Sequence, residues 1–367
     1  SVWDPTTDGN QSVGKQHLKP HGCRYTRVSG IWQTVWLENV PAAYVTGYRT
    51  VTDIDKSSVA VTLTAEGNLM GATAVVEAML NGVTLAKDEV KNWNAPVVLA
   101  LDKPQLWTPE TPTLYDLRIT LRAAGAEDVA MGYFGMRKIE QRTDDKGIPR
   151  FYLNNKKVFL SGTLDQGWWP DGLLTPPSED AMIFDIMLLK ECGFNMMRKH
   201  VKIEPLRYYY LCDKFGLMVF QDMVSGWKDG EDRSTLYRRE FKGVLDLLQT
   251  IPSIVMWVPY NEGWGQPEKA KTNMVLDWAK RYDPTRLVSG PSGWKDHGVG
   301  DAFDIHKYPG PDMPPVTPNR LAVLGEFGGI GLAIEGHLWA KGSSWGYVSD
   351  KTADESFARF TSLYDHL

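Results

Sequence analysis

At 367 residues the chain has room for two or three domains. Its 43% hydrophobic and 23% charged residues exclude wholesale disorder. The 40 Lys+Arg against 45 Asp+Glu leave a net charge of −5, without the basic surplus with which a nucleic-acid binder meets phosphate, and no apolar run reaches the roughly 18 to 20 residues of a membrane span.

Ser1-Val2-Trp3-Asp4-Pro5 has neither the basic start nor the apolar centre of a signal peptide. Val28–Leu37 (VSGIWQTVWL) alternates aromatic and polar residues and predicts one strand of a larger β-domain. Residues 1–42 are too few to bury a sheet alone, so they read as the end of a domain whose start lies upstream. From 43 to 141 the pattern is all-β, with strands predicted at Val59–Ala65, Ala74–Leu80, Pro96–Leu101 and Leu114–Leu121, and a hairpin turn at Asn81-Gly82. That spacing fits an immunoglobulin-like β-sandwich. Asp144-Asp145-Lys146-Gly147 reads as the turn of a connecting hairpin.

After Pro149 the period changes. Apolar runs predict buried parallel strands at Val158–Gly162, Phe194–His200, Leu217–Met223, Ile254–Tyr260, Leu287–Gly290, Ala302–Tyr308 and Leu321–Phe327. One helix opens at Ser178-Glu179 and ends at Gly193; a second runs from Pro205 to Phe215 and ends at Gly216; a last covers Glu355–Leu367. Strands alternating with helices predict a (β/α)8 TIM-type barrel over 142–367, in which strand eight is not present and the links among strands five to seven are short or rich in proline. The three cysteines, Cys23, Cys192 and Cys212, make no disulfide framework; the latter two lie in apolar helical stretches and read as buried thiols.

In a parallel barrel the site lies at the C-terminal ends of the strands. Those ends are Arg198-Lys199-His200, Gln221-Asp222, Asn261-Glu262, His306-Lys307-Tyr308 and Glu326. Glu262 and Glu326 each follow a run too apolar for an accidental carboxylate, and two carboxylates facing across a barrel are what retaining glycoside hydrolysis needs. Ordinary strand-end carboxylates bound to backbone amides are the alternative. The 14 Trp and 15 Tyr also suit stacking on sugar faces. Trp168, in the loop Trp168-Trp169-Pro170-Asp171-Gly172, is a candidate platform, a loop anchored by one buried Trp being the alternative, and Ser292, Gly293 and Trp294 are read as lining the opposite side. Trp257 and Trp264 flank Glu262 in sequence and would give it an apolar setting. His200 and His306 are read either as sugar contacts or as members of a strand-end network, and Lys199 and Lys202 as supporting or solvated groups. No H-x-x-x-H or comparable spacing supports a metal, and no metal or cofactor is expected.

Six motifs in chain order carry a resemblance. Ser29-Gly30-Ile31-Trp32-Gln33-Thr34-Val35-Trp36-Leu37-Glu38 resembles the closing strands of the sugar-binding jelly roll of glycoside hydrolase family 2. Leu106-Trp107-Thr108-Pro109-Glu110 resembles a motif late in that family's sandwich domain. Gly193-Phe194-Asn195-Met196-Met197-Arg198, Gln221-Asp222-Met223, Tyr260-Asn261-Glu262 and Gly325-Glu326-Phe327-Gly328-Gly329 fall in the order of its barrel. The resemblance implies a jelly-roll remnant at 1–42, a sandwich at 43–141 and an incomplete catalytic barrel at 142–367. It implies Glu262 as acid/base and Glu326 as nucleophile, with Asn261 on the sugar 2-hydroxyl, Tyr308 steadying the nucleophile and Arg198 keeping it ionised. His200, Asp222, His306, Trp168 and Trp294 complete the expected substrate-binding set.

The expected function is that of a retaining, exo-acting β-glycosidase on oligosaccharides or glycosides, β-galactosidase first, with β-glucuronidase, β-mannosidase and arabinopyranosidase as alternatives. A catalytically silent carbohydrate-binding protein on the same scaffold is the rival class. No nucleic-acid or membrane partner is expected, and a homo-oligomer is compatible with the sequence. A soluble protein is expected, with the compartment open between cytoplasm and periplasm or exterior.

Overall fold

A computed structural model describes residues 11–225, 234–338 and 344–367. The reading of Ser1–Pro5, and of the first ten residues of the 1–42 segment, lies outside them. β1 (Gln16–His17) and β2 (Tyr25–Thr26) form a two-residue parallel pair. Val28–Leu37 forms no strand. Among the described residues its backbone has no strand to pair with, and Val35, Trp36 and Leu37 are 72%, 64% and 100% exposed. Alternation encodes a face, but a strand also needs a neighbour.

The next module is antiparallel. β3 (Ala43–Asp53), β4 (Ser58–Gly67), β5 (Thr73–Leu80), β6 (Val83–Glu89), β7 (Val97–Ala100), β8 (Tyr115–Ala123) and β9 (Ala126–Phe134) form two sheets, β3-β4-β7 and β6-β5-β8-β9. Their inward residues, including Val59 and Val61 from one sheet and Val76, Leu117 and Ile119 from the other, share one core. Asn81 and Gly82 close the β5–β6 hairpin with φ of 51° and 78°, the left-handed pair that a tight two-residue turn requires.

β10 (Ile139–Thr143) and β11 (Pro149–Leu153) form the hairpin read around Asp144, whose Oδ1 accepts from the amides of Lys146 and Ile148. β12 (Lys156–Lys157) adds a third strand. This displaces the first parallel strand from the expected Val158–Gly162 to β13 (Gly162–Asp165): the Val158 amide still bonds Phe151 of the hairpin, and Phe159 is 80% exposed.

β14 (Met196–Lys199), β15 (Met218–Asp222), β16 (Ile254–Val258) and β17 (Leu287–Val288) continue in parallel from β13. A parallel bridge from Ser289 to Ala302 carries the order on to β18 (Ala302–Lys307), which pairs with β19 (Leu321–Phe327). Three helices form where the sequence places them, the last at the end of the chain. α1 (Glu179–Glu191) is capped by the Ser178 hydroxyl on the Ala181 amide, and α2 (Leu206–Phe215) ends at left-handed Gly216. α3 (Ser234–Leu248) and α4 (Lys269–Tyr282) were not singled out in the sequence. Nor was the parallel pair β20 (Ile330–Leu332) and β21 (Val348–Asp350), which precedes α5 (Ala353–Asp365). Cys212 is buried in α2, whereas Cys192 caps α1 and is exposed, against expectation, because it falls on the helix's outer end.

The parallel strands have two apolar faces. Met197, Val219, Trp257 and Val288 pack against the helices, while Met196, Met218, Phe220, Met256 and Leu287 face inward. The sheet curls, because Arg198 on β14 reaches Glu326 on β19. Fully buried Trp107 packs with the inward residues, and its indole N–H donates to the Asp213 carbonyl. Arg137, just after β9, donates to the carbonyls of Pro252, Ile254 and Thr285, at the entry ends of β16 and β17. The sandwich thus meets the parallel sheet at its N-terminal end. The opposite end is left for chemistry.

Candidate active site

Glu262 follows β16 in the left-handed region, with φ of 54°, and its amide donates to the Ser292 carbonyl at 2.6 Å. A non-glycine residue held there costs about 1–2 kcal/mol, and such positions concentrate at functional sites. On the neighbouring pair, β18 and β19 slip register after Ile305, so that His306 lies opposite Glu326 and Gly325 is skipped. A Cβ at Gly325 would fall 2.1 Å from Asp304 Oδ1, so only glycine fits at the slip.

Arg198 joins four elements. Its guanidinium donates twice to Asp222 (2.8 and 2.9 Å), once to Asn261 Oδ1 (2.7 Å) and once to Glu326 Oε1 (3.0 Å). The Tyr308 hydroxyl donates to the other oxygen of Glu326 at 2.7 Å. Burial pushes the Glu326 carboxyl up, but Arg198, His306, His200 and Tyr308 together hold it below the usual carboxylate range. Burial likewise opposes ionisation of Asp222, and Arg198 with His200 reverses it. Burial and the Glu326 charge push the Tyr308 phenol up, so it stays a donor.

His306 lies between the two glutamates. Its Nδ1 is 2.8 Å from Glu262 Oε1 and 3.4 Å from Glu326 Oε2. One ligand atom each of Glu262, His306 and Glu326 lie within 4.8 Å of one another. Among the described residues this is the cluster with metal-like spacing. The Arg198 guanidinium on Glu326 already supplies a positive charge there, and a cation would have to sit against it.

Several expected residues sit differently. His200 Nδ1 bonds Asp222 at 2.9 Å, and burial holds its imidazole below the ordinary value; its Nε2 is buried with no protein partner among the described residues. The Trp264 ring meets the edge of His200 at 5.8 Å. Trp257, in contrast, turns to the helices and donates to Asp283, because the strand period sends it outward. Trp294 is 64% exposed and edge-on to His306 at 6.3 Å. One face of Trp168 is stacked on Tyr25 at 4.7 Å. Lys199 and Lys202 are not solvated: both are buried and paired to Glu204, Lys199 also to Asp165.

Two members escaped the sequence reading, and a third has a part there that it did not foresee. Asp304 is buried two residues before His306 on the same strand face, a spacing that period-two alternation carries. Ser292, read as a lining residue, bridges Asp304 and His306. Tyr347 stacks on Tyr308 at 4.0 Å, and nothing local in the sequence signals it.

Comparison with known proteins identifies the frame. Residues 32–137 match the model of the glycosyl hydrolases family 2. A β-galactosidase of Lactococcus lactis is 27% identical over 294 residues, covering 76% of this chain and 28% of its own length. The chain resembles glycosyl hydrolase family 2. A putative β-glucuronidase of Formosa agariphila is 28% identical over 296 residues, covering 75% of this chain and 35% of its own. The chain therefore spans about a third of the length of these family 2 relatives. Among solved structures, β-glucuronidase 3 of Bacteroides uniformis superposes with a TM-score of 0.57 at 25% identity, over 68% of this chain and 33% of that one. A β-glucuronidase of Dictyoglomus thermophilum reaches 0.69 at 19% identity over 89% and 61%, a likeness of fold. The chain shares its fold with these two β-glucuronidases over 68% and 89% of its length.

Proposed function

We propose that the protein is a retaining, exo-acting β-glycoside hydrolase working by double displacement. In this reading residues 43–141 are an immunoglobulin-like sandwich, and 142–367 a TIM-type catalytic barrel joined to it through the β10–β11 hairpin. The observation that carries the reading is the approach of the two carboxylates, one oxygen of each lying within 4.8 Å of the other and of a His306 nitrogen. Retaining enzymes hold the pair about 5–5.5 Å apart, whereas inverting ones leave about 6.5–9.5 Å for a water.

Glu326, ionised by Arg198 and aimed by Tyr308, attacks the anomeric carbon while Glu262 protonates the departing oxygen. Water, activated by Glu262 as base, then releases the sugar from Glu326. Asn261 offers its amide N–H to the sugar 2-hydroxyl, since its oxygen is held by Arg198. The exposed face of Trp294 is open to sugar ring faces. A β-galactoside is the first substrate to try; β-glucuronides, β-mannosides and arabinopyranosides follow, as the relatives carry both galactosidase and glucuronidase names.

The test is hydrolysis of a panel of p-nitrophenyl glycosides by the intact protein, Glu326→Gln and Glu262→Gln. One β-glycoside is cleaved, Glu326→Gln falls by at least about 10⁴-fold, and Glu262→Gln keeps the first step for activated leaving groups. If wild type and both variants are equally inert while calorimetry finds sugar binding, the protein binds without cutting.

A further inference from the structure

Behind the carboxylate pair runs a chain of buried groups that double displacement does not itself require. The His306 side chain is 0% exposed. Its Nδ1 faces Glu262 at 2.8 Å, and its Nε2 lies 2.6 Å from Ser292 Oγ and 3.2 Å from Arg198. Ser292, fully buried, is 2.7 Å from Asp304 Oδ2. Asp304 is buried in turn, and its other oxygen has no partner among the described residues. The backbone is fitted to this line at two points. A Cβ at Gly293 would come within 3.0 Å of both Glu262 Cγ and His306 Nδ1, and one at Gly325 would collide with Asp304.

We propose that His306, Ser292 and Asp304 form a proton relay, through which Glu262 and Asp304 share one proton. This rests on Glu262 being the acid/base of the proposed hydrolysis. In one state Asp304 is protonated and donates to Ser292 Oγ, Ser292 donates to His306 Nε2, and His306 Nδ1–H donates to the Glu262 carboxylate. In the other the Nδ1 proton has moved to Glu262, the Ser292 proton to Nε2, and the Asp304 proton to Ser292 Oγ. The imidazole is neutral in both; one proton has moved from Asp304 to Glu262, and one negative charge the opposite way. No other reactant is needed.

A buried carboxyl with one bare oxygen suits this role, since burial pushes Asp304 towards its protonated form against the pull of Arg198, His306 and Ser292. The charged groups facing His306 are Glu262 beyond β16, Glu326 on β19 and Arg198 on β14, with Asp304 on its own strand through Ser292. Arg198 is committed to Glu326 and Asp222, so Ser292 is the one neighbour of Nε2 able both to give and to take a proton. Ser292 and Asp304 act through His306 and are positioning residues; neither need touch the sugar.

The experiment uses the intact protein with the aryl β-glycoside that wild type cleaves, across leaving groups from dinitrophenol to unsubstituted phenol. Ser292→Ala and Asp304→Asn are compared with wild type. Breaking the relay lowers kcat/KM for the phenyl glycoside by about tenfold or more, within the span of general-acid catalysis, while the dinitrophenyl glycoside, which needs no acid, stays within about twofold. In Asp304→Asn the alkaline limb of kcat/KM also moves to lower pH, because the charge opposing loss of the proton from Glu262 is gone. Equal losses on both leaving groups, or no loss on either, overturn the relay, and Ser292→Ala, which removes one atom, guards against misfolding of Asp304→Asn. Wild type inert towards every glycoside overturns the hydrolase reading itself, so the two failures are distinct.

Discussion

Arg198 shows how much of this site hangs on single side chains. It is buried, and its guanidinium meets Asp222, Asn261 and Glu326 in a fork that an ammonium does not reproduce. Arg198→Lys is expected to lower kcat by about 10²-fold, for want of aligned charge on Glu326, the proposed nucleophile. The pH profile carries a signed consequence. Glu326 is held below the ordinary carboxylate range, so the acid limb of kcat/KM lies low in wild type and moves to higher pH in the variant. An unmoved limb would show that Arg198 does not set the charge of Glu326. The strand ends made Arg198, Asp222, Asn261, Glu262, His306, Tyr308 and Glu326 legible as one cluster, because parallel strands deliver the polar residues that close their apolar runs to the same end of the sheet. Asp304 and Tyr347 were not legible: one hides inside a strand, and the other is brought in by a pair, β20 and β21, too short to leave a pattern.

Among the elements, period and caps decided what could be read. The sandwich strands alternate cleanly, α1 and α2 carry their start and stop residues, and the parallel strands are near-continuous apolar runs. Val28–Leu37 and the first parallel strand failed for one reason: each has the composition of a strand, but pairing is decided by which backbone is at hand. The docking of sandwich on sheet makes two predictions. Arg137→Met strips the carbonyls of Pro252 and Thr285 of their donor, leaves that of Ile254 to Arg286 alone, and should cost about 2–4 kcal/mol in denaturant unfolding, with kcat of the folded protein unchanged. Asp213 in α2 receives the Tyr133 hydroxyl of β9 and the Ser253 amide, yet burial pushes its carboxyl up to about 7. A folded value above the unfolded one, about 3.9, means stability that is full below pH 4 and lost as pH rises through 7. Wild-type Tm should therefore fall between pH 5.5 and about 8 by more than that of Asp213→Asn. Parallel curves would place the Asp213 value elsewhere.

Across the whole molecule, structure and chemistry are segregated to opposite ends of one curled sheet. Trp107 and Arg137 fix the sandwich to the end where the strands begin, and every titratable group of the site sits where they finish. Residues 11–42 reach across to that second end. The Gly14 amide bonds the Ser225 carbonyl beyond β15, and the adjacent Lys15 ammonium lies 5.2 Å over the Trp264 ring. The helices offer no apolar stretch long enough to cross a membrane among the described residues. The account turns on Glu326 forming a covalent bond to the sugar, and trapping that bond is its most direct test. The intact protein is incubated with the 2,4-dinitrophenyl 2-deoxy-2-fluoro analogue of the glycoside it cleaves, then digested and mapped by mass spectrometry. The account predicts one fluorosugar on the peptide containing Glu326 and loss of activity in step with labelling. A label on Glu262 or another residue, or turnover with inversion at the anomeric carbon and no label, would contradict it.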